Sequence, residues 1–302
     1  MQLTGAPTGA AWADLARRIE GEGYDTISLP DHLGNQFAAV PALAAVAMVT
    51  ERVRLSMFVL ANDFRNPAVL AKEITTLDVL SGGRVELGLG AGWHAAEYAA
   101  QGIPFDPPGA RIERLAEAVT ILKRAFSGER FDFAGEHYRV EGLDVLPRPA
   151  QAGGIPLVLG GGGPRMLALA AREADIVGIA TDNRVRDREV GGNPGLSRES
   201  VVRQVEWVRE AAGERIDAIE LNLRVLGVCV APDRVDAAAT VAGELGVEPD
   251  VLRDSPFVFV GPVEEIHEQM LRQREELGIS YYTVSQRYAD QLTPLVTRVA
   301  GT

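Results

Sequence analysis

Cysteine is almost absent from this 302-residue chain. The one thiol, Cys229, can form no internal disulfide, which excludes a disulfide-stapled secreted scaffold and suits a reducing cytoplasm. It lies in the apolar run Leu226–Val230, where a core position is expected. Positive charge is also scarce. Lys and Arg number 30 against 42 Asp and Glu, a formal charge of −12, which argues against nucleic acid or an anionic membrane surface as the main partner. An anionic ligand would need a local site of backbone amides or Arg. No apolar run reaches the roughly 18 residues that spanning a membrane requires, and no signal peptide precedes the first helix. No Cys/His cluster has metal spacing, no Gly-x-Ser-x-Gly elbow occurs, and no motif supplies a Schiff-base Lys. Metal-dependent, hydrolase and aldolase chemistry lose ground accordingly. A soluble, cytoplasmic protein is expected.

What is present is a chain with 46% hydrophobic and 24% charged residues, enough to bury a large core. Strand-like runs recur at Thr26–Leu29, Val53–Leu60, Arg84–Leu89, Ile155–Leu159, Asp175–Ile179, Ile219–Val230 and Ile279–Val284. Amphipathic helical stretches separate most of them. Arg111–Phe126 is the clearest, with Ile112, Leu115, Val119, Leu122 and Phe126 on one stripe. The early strands lie about 30 residues apart, the length of a βαβ unit, and their continuous apolar character suits strands covered on both faces. With a short N-terminal strand at Met1–Leu3 the count is eight. This predicts an α/β protein of the (β/α)8 TIM-barrel class, one domain over 1–302. The first strand looks clipped, because the chain begins at about its last residues. Ser127–Ala152 reads as an excursion after helix 4, and Thr181–Ser197 as a mobile loop after strand 6.

Several strand ends carry the chemistry. Asp31-His32 follows a strand directly: imidazole titrates near neutral pH, so His32 can donate or accept a proton or bond a cofactor ring. Asp31 either orients it or caps the next helix. In Gly88-Leu-Gly-Ala-Gly92 the glycines allow close backbone approach, to a flat ligand or within a tight strand-to-helix turn. Trp93 stands where a dinucleotide fingerprint has its third glycine, so a Rossmann reading is weak. Gly160-Gly161-Gly162-Gly163 followed by Pro164 and Arg165 is the better anion site, since free amides at a helix start favour a phosphate. The polar residues of Asn62–Pro67 either serve the ligand or start a helix. His94, His137 and His267 read as structural or solvated.

Taken together, these motifs resemble the bacterial luciferase-like superfamily, particularly its branch using the deazaflavin coenzyme F-420. The resemblance runs over nearly the whole chain. It is most specific at Leu29–Leu33, Asn66-Pro-Ala, Leu77–Arg84, Gly88–Tyr98 and Gly102–Phe105, and an actinobacterial origin would suit basic residues that, apart from Lys72 and Lys123, are all Arg. The resemblance implies a luciferase-like (β/α)8 barrel with a deazaflavin or flavin at the carboxyl-end mouth. It also implies a small-molecule substrate and, as is common among relatives, a homodimer. By the same likeness Asp31 contacts the coenzyme and His32 lies near the reacting ring carbon. Val59, Leu60, Ala61 and Asn62 follow Phe58 where such proteins often hold a bulged non-prolyl cis peptide behind the ring. Ala91-Gly92 matches a cofactor-contacting pair, and Gly162-Gly163 with Arg165 a phosphate loop. Trp93 replaces the catalytic Glu of the group's sugar-phosphate dehydrogenases, so that substrate is not expected. Gln36 stands where relatives often have Trp. Trp93 and Glu97 are candidate substrate-pocket residues. The expected activity is hydride transfer between C5 of F-420 and an organic substrate. The alternatives are an FMN-dependent monooxygenase using molecular oxygen and a non-catalytic flavin-binding protein.

Overall fold

The computed structural model describes residues 1–182 and 194–300. The chain divides into two compact units, Gln2–Val158 and Leu159–Thr302, the latter including Met1.

In the first unit, α1 (Gly9–Gly21), β1 (Thr26–Leu29), α2 (Ala39–Ala47), β2 (Arg54–Met57), β3 (Leu60–Ala61), α3 (Pro67–Ser81), β4 (Val85–Gly90), α4 (Ala95–Gln101) and α5 (Pro108–Phe126) follow one another. β1 pairs in parallel with β2, and β4 pairs in parallel with β2 and β3. All four residues of β1 and all six of β4 are buried, which explains runs with no polar alternation. Burying each of Val85, Leu87 and Leu89 contributes about 2 kcal/mol. Helix starts follow the local sequence: Thr8 Oγ1 accepts from Ala11 N–H at 3.1 Å on α1. Asn66 Oδ1 accepts from Ala68 N–H at 2.9 Å on α3, with Pro67 at its first position. Leu115, Val119, Leu122 and Phe126 of α5 are buried as the stripe predicts, while Ile112 is half-buried and Arg111 is buried.

The predicted run Val53–Leu60 is two short strands, β2 and β3, interrupted at a cis peptide bond between Phe58 and Val59. Met1–Leu3 makes only a bridge, Gln2 to Ser28. The excursion is an antiparallel hairpin, β5 (Phe131–Ala134) and β6 (Arg139–Leu143). It is held to α5 by Glu117, which accepts from the N–H groups of Glu136, His137 and Tyr138 at 2.7, 3.0 and 2.9 Å. The Leu77–Arg84 motif forms a clasp. Asp78 accepts from Ala150 N–H at 2.8 Å and from Gln151 Nε2 at 2.8 Å, and Gly82 ends α3 in the left-handed region at φ 71°. Arg84 donates to the carbonyls of Ala47, Thr50, Val53 and Ser81 and to Thr50 Oγ1, all at 2.7–3.0 Å.

The unit boundary falls within β7 (Leu157–Gly161). The second unit continues with α6 (Pro164–Glu173), β8 (Ile176–Ile179), α7 (Arg198–Ala212), β9 (Glu220–Arg224), β10 (Gly227–Val230), α8 (Arg234–Leu245), α9 (Pro249–Leu252), β11 (Val258–Gly261), α10 (Val263–Leu277), β12 (Ile279–Thr283) and α11 (Ala289–Val299). β9 lies between β8 and β12, all parallel. The predicted strand Ile219–Val230 is therefore two elements. Its second half, β10, pairs with β11 in a separate two-stranded sheet, and β11 is an apolar run after Pro256 that was absent from the predicted set. Cys229 on β10 is half-buried rather than a core residue. Of the loop expected at Thr181–Ser197, residues 183–193 lie outside the described residues. Among those described, no helix is long and apolar enough to cross a membrane, and no His/Cys/Asp/Glu cluster has a metal-binding arrangement.

Candidate active site

In the first unit, hydrogen bonds tie together the loops after β1, β3 and β4. Asp31 follows β1. Its carboxylate accepts from Nη1 and Nη2 of Arg65, at 2.7 and 2.9 Å, and from Ala61 N–H at 3.0 Å. Burial pulls the Arg65 guanidinium down, but the Asp31 hydrogen bonds and charge outweigh it, so its pKa is raised. Arg65 lies in the polar Asn62–Pro67 stretch but was not singled out as a site residue. The residue before α3's cap gives no sequence signal that it will fork onto a carboxylate 34 positions earlier. Gln36 Nε2 donates to Pro30 O at 3.1 Å, so it braces the same loop.

His32 is the next residue. Its Nδ1 lies 3.0 Å from Glu97 Oε2, and Glu97 Oε1 accepts from Leu33 N–H at 3.0 Å. Burial pushes the Glu97 carboxyl up. The His32 and Leu33 hydrogen bonds and the His32 and His94 charges hold it down more strongly, leaving it below its ordinary 4.5. Trp93 makes an edge contact with the His32 ring at 5.8 Å between centroids and is 67% exposed. His94, the N-cap of α4, stands 6.2 Å from the His32 ring.

At the glycines of the β4 motif the chain itself leaves no room for a side chain. A Cβ on Gly88 would overlap the Met57 carbonyl oxygen, and one on Gly90 would lie 2.9 Å from Val59 Cγ2. These glycines therefore allow the Met57–Val59 backbone to approach β4 closely. Gly92 sits at φ 75°, and its Cβ would strike the Tyr98 hydroxyl. That hydroxyl is 3.2 Å from Asp63 Oδ2 and 3.4 Å from Ala91 O, and burial, then Asp63, pushes its pKa up to about 12. Buried Arg111 donates to Ala91 O at 2.9 Å and to Gly92 O, and stacks over Phe105. Asn62 is buried and turns away to Tyr138, with Nδ2 3.2 Å from the hydroxyl. A neighbouring open cleft of ≈ 390 Å³ includes Asp63, Arg65, Arg114, His137 and Tyr138 in its lining. There Arg114 bridges Asp63, at 2.8 Å, and Asp106.

In the second unit, Gly160 and Gly161 end β7, and Gly163 is the N-cap of the ten-residue α6. Pro164 takes its first position and no side chain caps it. Added Cβ atoms at Gly160, Gly161 and Gly162 would meet Gly178, Met166 and Thr181. Gln204 Nε2 donates to Gly162 O at 2.9 Å and to Ala180 O at 2.8 Å. Arg165 is exposed in the first helical turn.

Parallel β/α units with an Asp-His pair beyond β1 and a cis peptide before β3 define a class, and comparison supplies the family. The model of the luciferase-like monooxygenase family matches residues 1–239, and the chain belongs to that family. It is 33% identical over 216 residues to the F420-dependent glucose-6-phosphate dehydrogenase of Nakamurella multipartita, covering 69% of this chain and 60% of that protein. It thus spans somewhat over half the length of that relative. Coenzyme F420 dependent tetrahydromethanopterin reductase from Methanopyrus kandleri superimposes with TM-score 0.78 at 18% identity, over 99% of this chain and 96% of that one. The monooxygenase RslO1 from Streptomyces bottropensis gives 0.76 at 20%, over 99% and 98%. These two likenesses concern the fold.

Proposed function

We propose that this protein is a coenzyme F-420-dependent oxidoreductase that moves hydride between the deazaflavin and a small organic substrate. The observation that carries the proposal is the linked Asp31–His32 loop, with Arg65 and Ala61 N–H anchoring the acid and Glu97 anchoring the imidazole. An ion-paired, backbone-bonded Asp and a braced, partly exposed His next to it form a pre-organised polar pair. Curated relatives named as F420-dependent support the choice of cofactor.

Each unit by itself carries groups that would suit part of such a cofactor. The uncapped N-terminus of α6, preceded by Gly160–Gly163 and followed by Arg165, offers amides and positive charge to a phosphate. In the first unit, Val59, Leu60 and Ala61 with Ala91 and Gly92 offer backbone edges at strand ends, beside Asp31. When bound, the deazaflavin would supply the hydride-accepting or hydride-donating carbon. His32 would hold or move the accompanying proton, and the chain would orient the substrate and keep water out. Trp93, exposed beside His32, offers an apolar face to the substrate, and it stands where the resemblance puts the catalytic Glu of sugar-phosphate dehydrogenases, which argues for a different substrate. This reading takes residues 1–302 as one luciferase-like (β/α)8 barrel, acting in the cytoplasm and assembling as a homodimer.

Titration with F-420 and, separately, with FMN tests the proposal. Quenching or shift of the F-420 chromophore at micromolar concentration is the expected result. Tight FMN binding with no F-420 response would overturn it in favour of a flavin-dependent monooxygenase.

A further inference from the structure

Glu97 sits in the first turn of α4, where an acid ordinarily faces its own helix amides. Here neither oxygen is so used. Oε1 accepts from Leu33 N–H and Oε2 meets His32 Nδ1, both at 3.0 Å and more than sixty positions away in sequence. A carboxylate can only accept, so the hydrogen between Glu97 and His32 sits on Nδ1. The other ring nitrogen, Nε2, is then the lone-pair nitrogen of the neutral ring. A free histidine side chain favours the opposite tautomer.

We propose that Glu97 is a positioning residue: it holds His32 in the Nδ1–H tautomer and directs Nε2 to exchange the proton with substrate. The tautomer rests on geometry alone, whereas the use of Nε2 rests on the function proposed above. The remaining groups around His32 are consistent with one carboxylate serving one imidazole. His94 Nδ1 stands 3.6 Å from the same Oε2, within reach of its charge but too far to hydrogen-bond, and makes no hydrogen bond. Trp93 offers an indole edge, and Asp31 is committed to Arg65 and Ala61.

The isosteric change Glu97→Gln gives a sharp test. The amide oxygen can take over from Oε1 as acceptor for Leu33 N–H, which turns the amide NH2 toward His32 Nδ1. Two donors cannot share that contact, and the ring must switch to Nε2–H. Long-range ¹H–¹⁵N spectra of the apoprotein report the tautomer directly. Only four histidines are present, and His32→Asn assigns the signal. The neutral His32 ring of wild type should show Nδ1 protonated and Nε2 bare. Glu97→Gln should show the reverse, and His94→Ala should leave the wild-type pattern in place. Turnover in Glu97→Gln should fall at least ~100-fold, in the manner of a wrong-tautomer histidine, with KM changed less than about threefold and the melting temperature nearly kept. A wild-type His32 carrying its hydrogen on Nε2 would overturn the proposal, as would Glu97→Gln at wild-type kcat. If no F-420-linked turnover exists, the spectra still decide the tautomer, so the two readings fail separately.

Discussion

Replacing Gly88 by alanine tests whether the glycines after Val85 exist for the chain or for a ligand. The new methyl would overlap the carbonyl oxygen of Met57 and come within 3.0 Å of its carbon. Met57 is a fully buried end of β2, and β2 is registered against β4 through Leu55–Val85 and Ser56–Glu86. Backbone clamped in this way cannot swing aside as a side chain can. The cost belongs at or above the top of the overpacking range, about 3 kcal/mol, a large part of a typical 5–15 kcal/mol total. Gly90→Ala meets only a Val59 methyl at 2.9 Å and should cost about 1 kcal/mol. Gly82→Ala has φ 71° and open space around it, so it isolates the left-handed penalty, again about 1 kcal/mol. Urea unfolding at constant temperature gives the ranking, provided the m-value is unchanged. Gly88→Ala within about 1 kcal/mol of wild type would refute the close-approach argument. A stable Gly88→Ala protein that had lost only F-420 binding would assign the glycine to the ligand instead.

Further expectations concern charge and clasp. Asp31→Asn leaves the partly buried Arg65 without its fork partner and should cost about 2 kcal/mol; Arg65→Gln added to it should recover part of that loss, measured as a double-mutant cycle. Arg84→Lys loses the planar fork that spans four carbonyls and Thr50, and should lower stability by about 3 kcal/mol in denaturant unfolding; wild-type stability would remove the clasp. Glu20, Glu97 and Glu117 are all held below 4.5 by hydrogen bonds that outweigh burial. A lowered carboxyl adds stability above its unfolded pKa that is lost as pH falls through the folded one, so the melting temperature should drop from about pH 5 downward. Glu97→Gln should flatten part of that slope, and an unchanged slope would contradict the assignment. The Tyr98 phenol, with pKa about 12, should stay protonated in ultraviolet titration until beyond about pH 11, and Asp63→Asn should bring its midpoint down.

Much of the frame was legible from residue order. Uninterrupted apolar runs marked β1 and β4, a 3.6-residue stripe marked α5, and Asn66-Pro67 marked the start of α3. The Phe58–Val59 cis peptide stands where the family likeness placed it. Two boundaries misled. Val53–Leu60 and Ile219–Val230 are continuous in hydrophobicity but broken in geometry, because periodicity reports burial and is blind to a change of sheet partner. Asn62 was expected at the cofactor, and its Nδ2 also donates to the Tyr138 hydroxyl of the hairpin, a partner that residue order did not signal.

The order of residues by itself determined the alternation of buried strands and capped helices, the glycine positions, and the presence of Asp31 and His32 just beyond a strand. Only the folded chain decided that Arg65 grips Asp31, that Glu97 grips His32, and that Met57 leaves no room beside Gly88. The reason is physical. Caps and stripes are set by neighbours within about one helical turn, whereas these contacts join residues 31 to 65 positions apart. Such pairs meet only after the strands between them have packed.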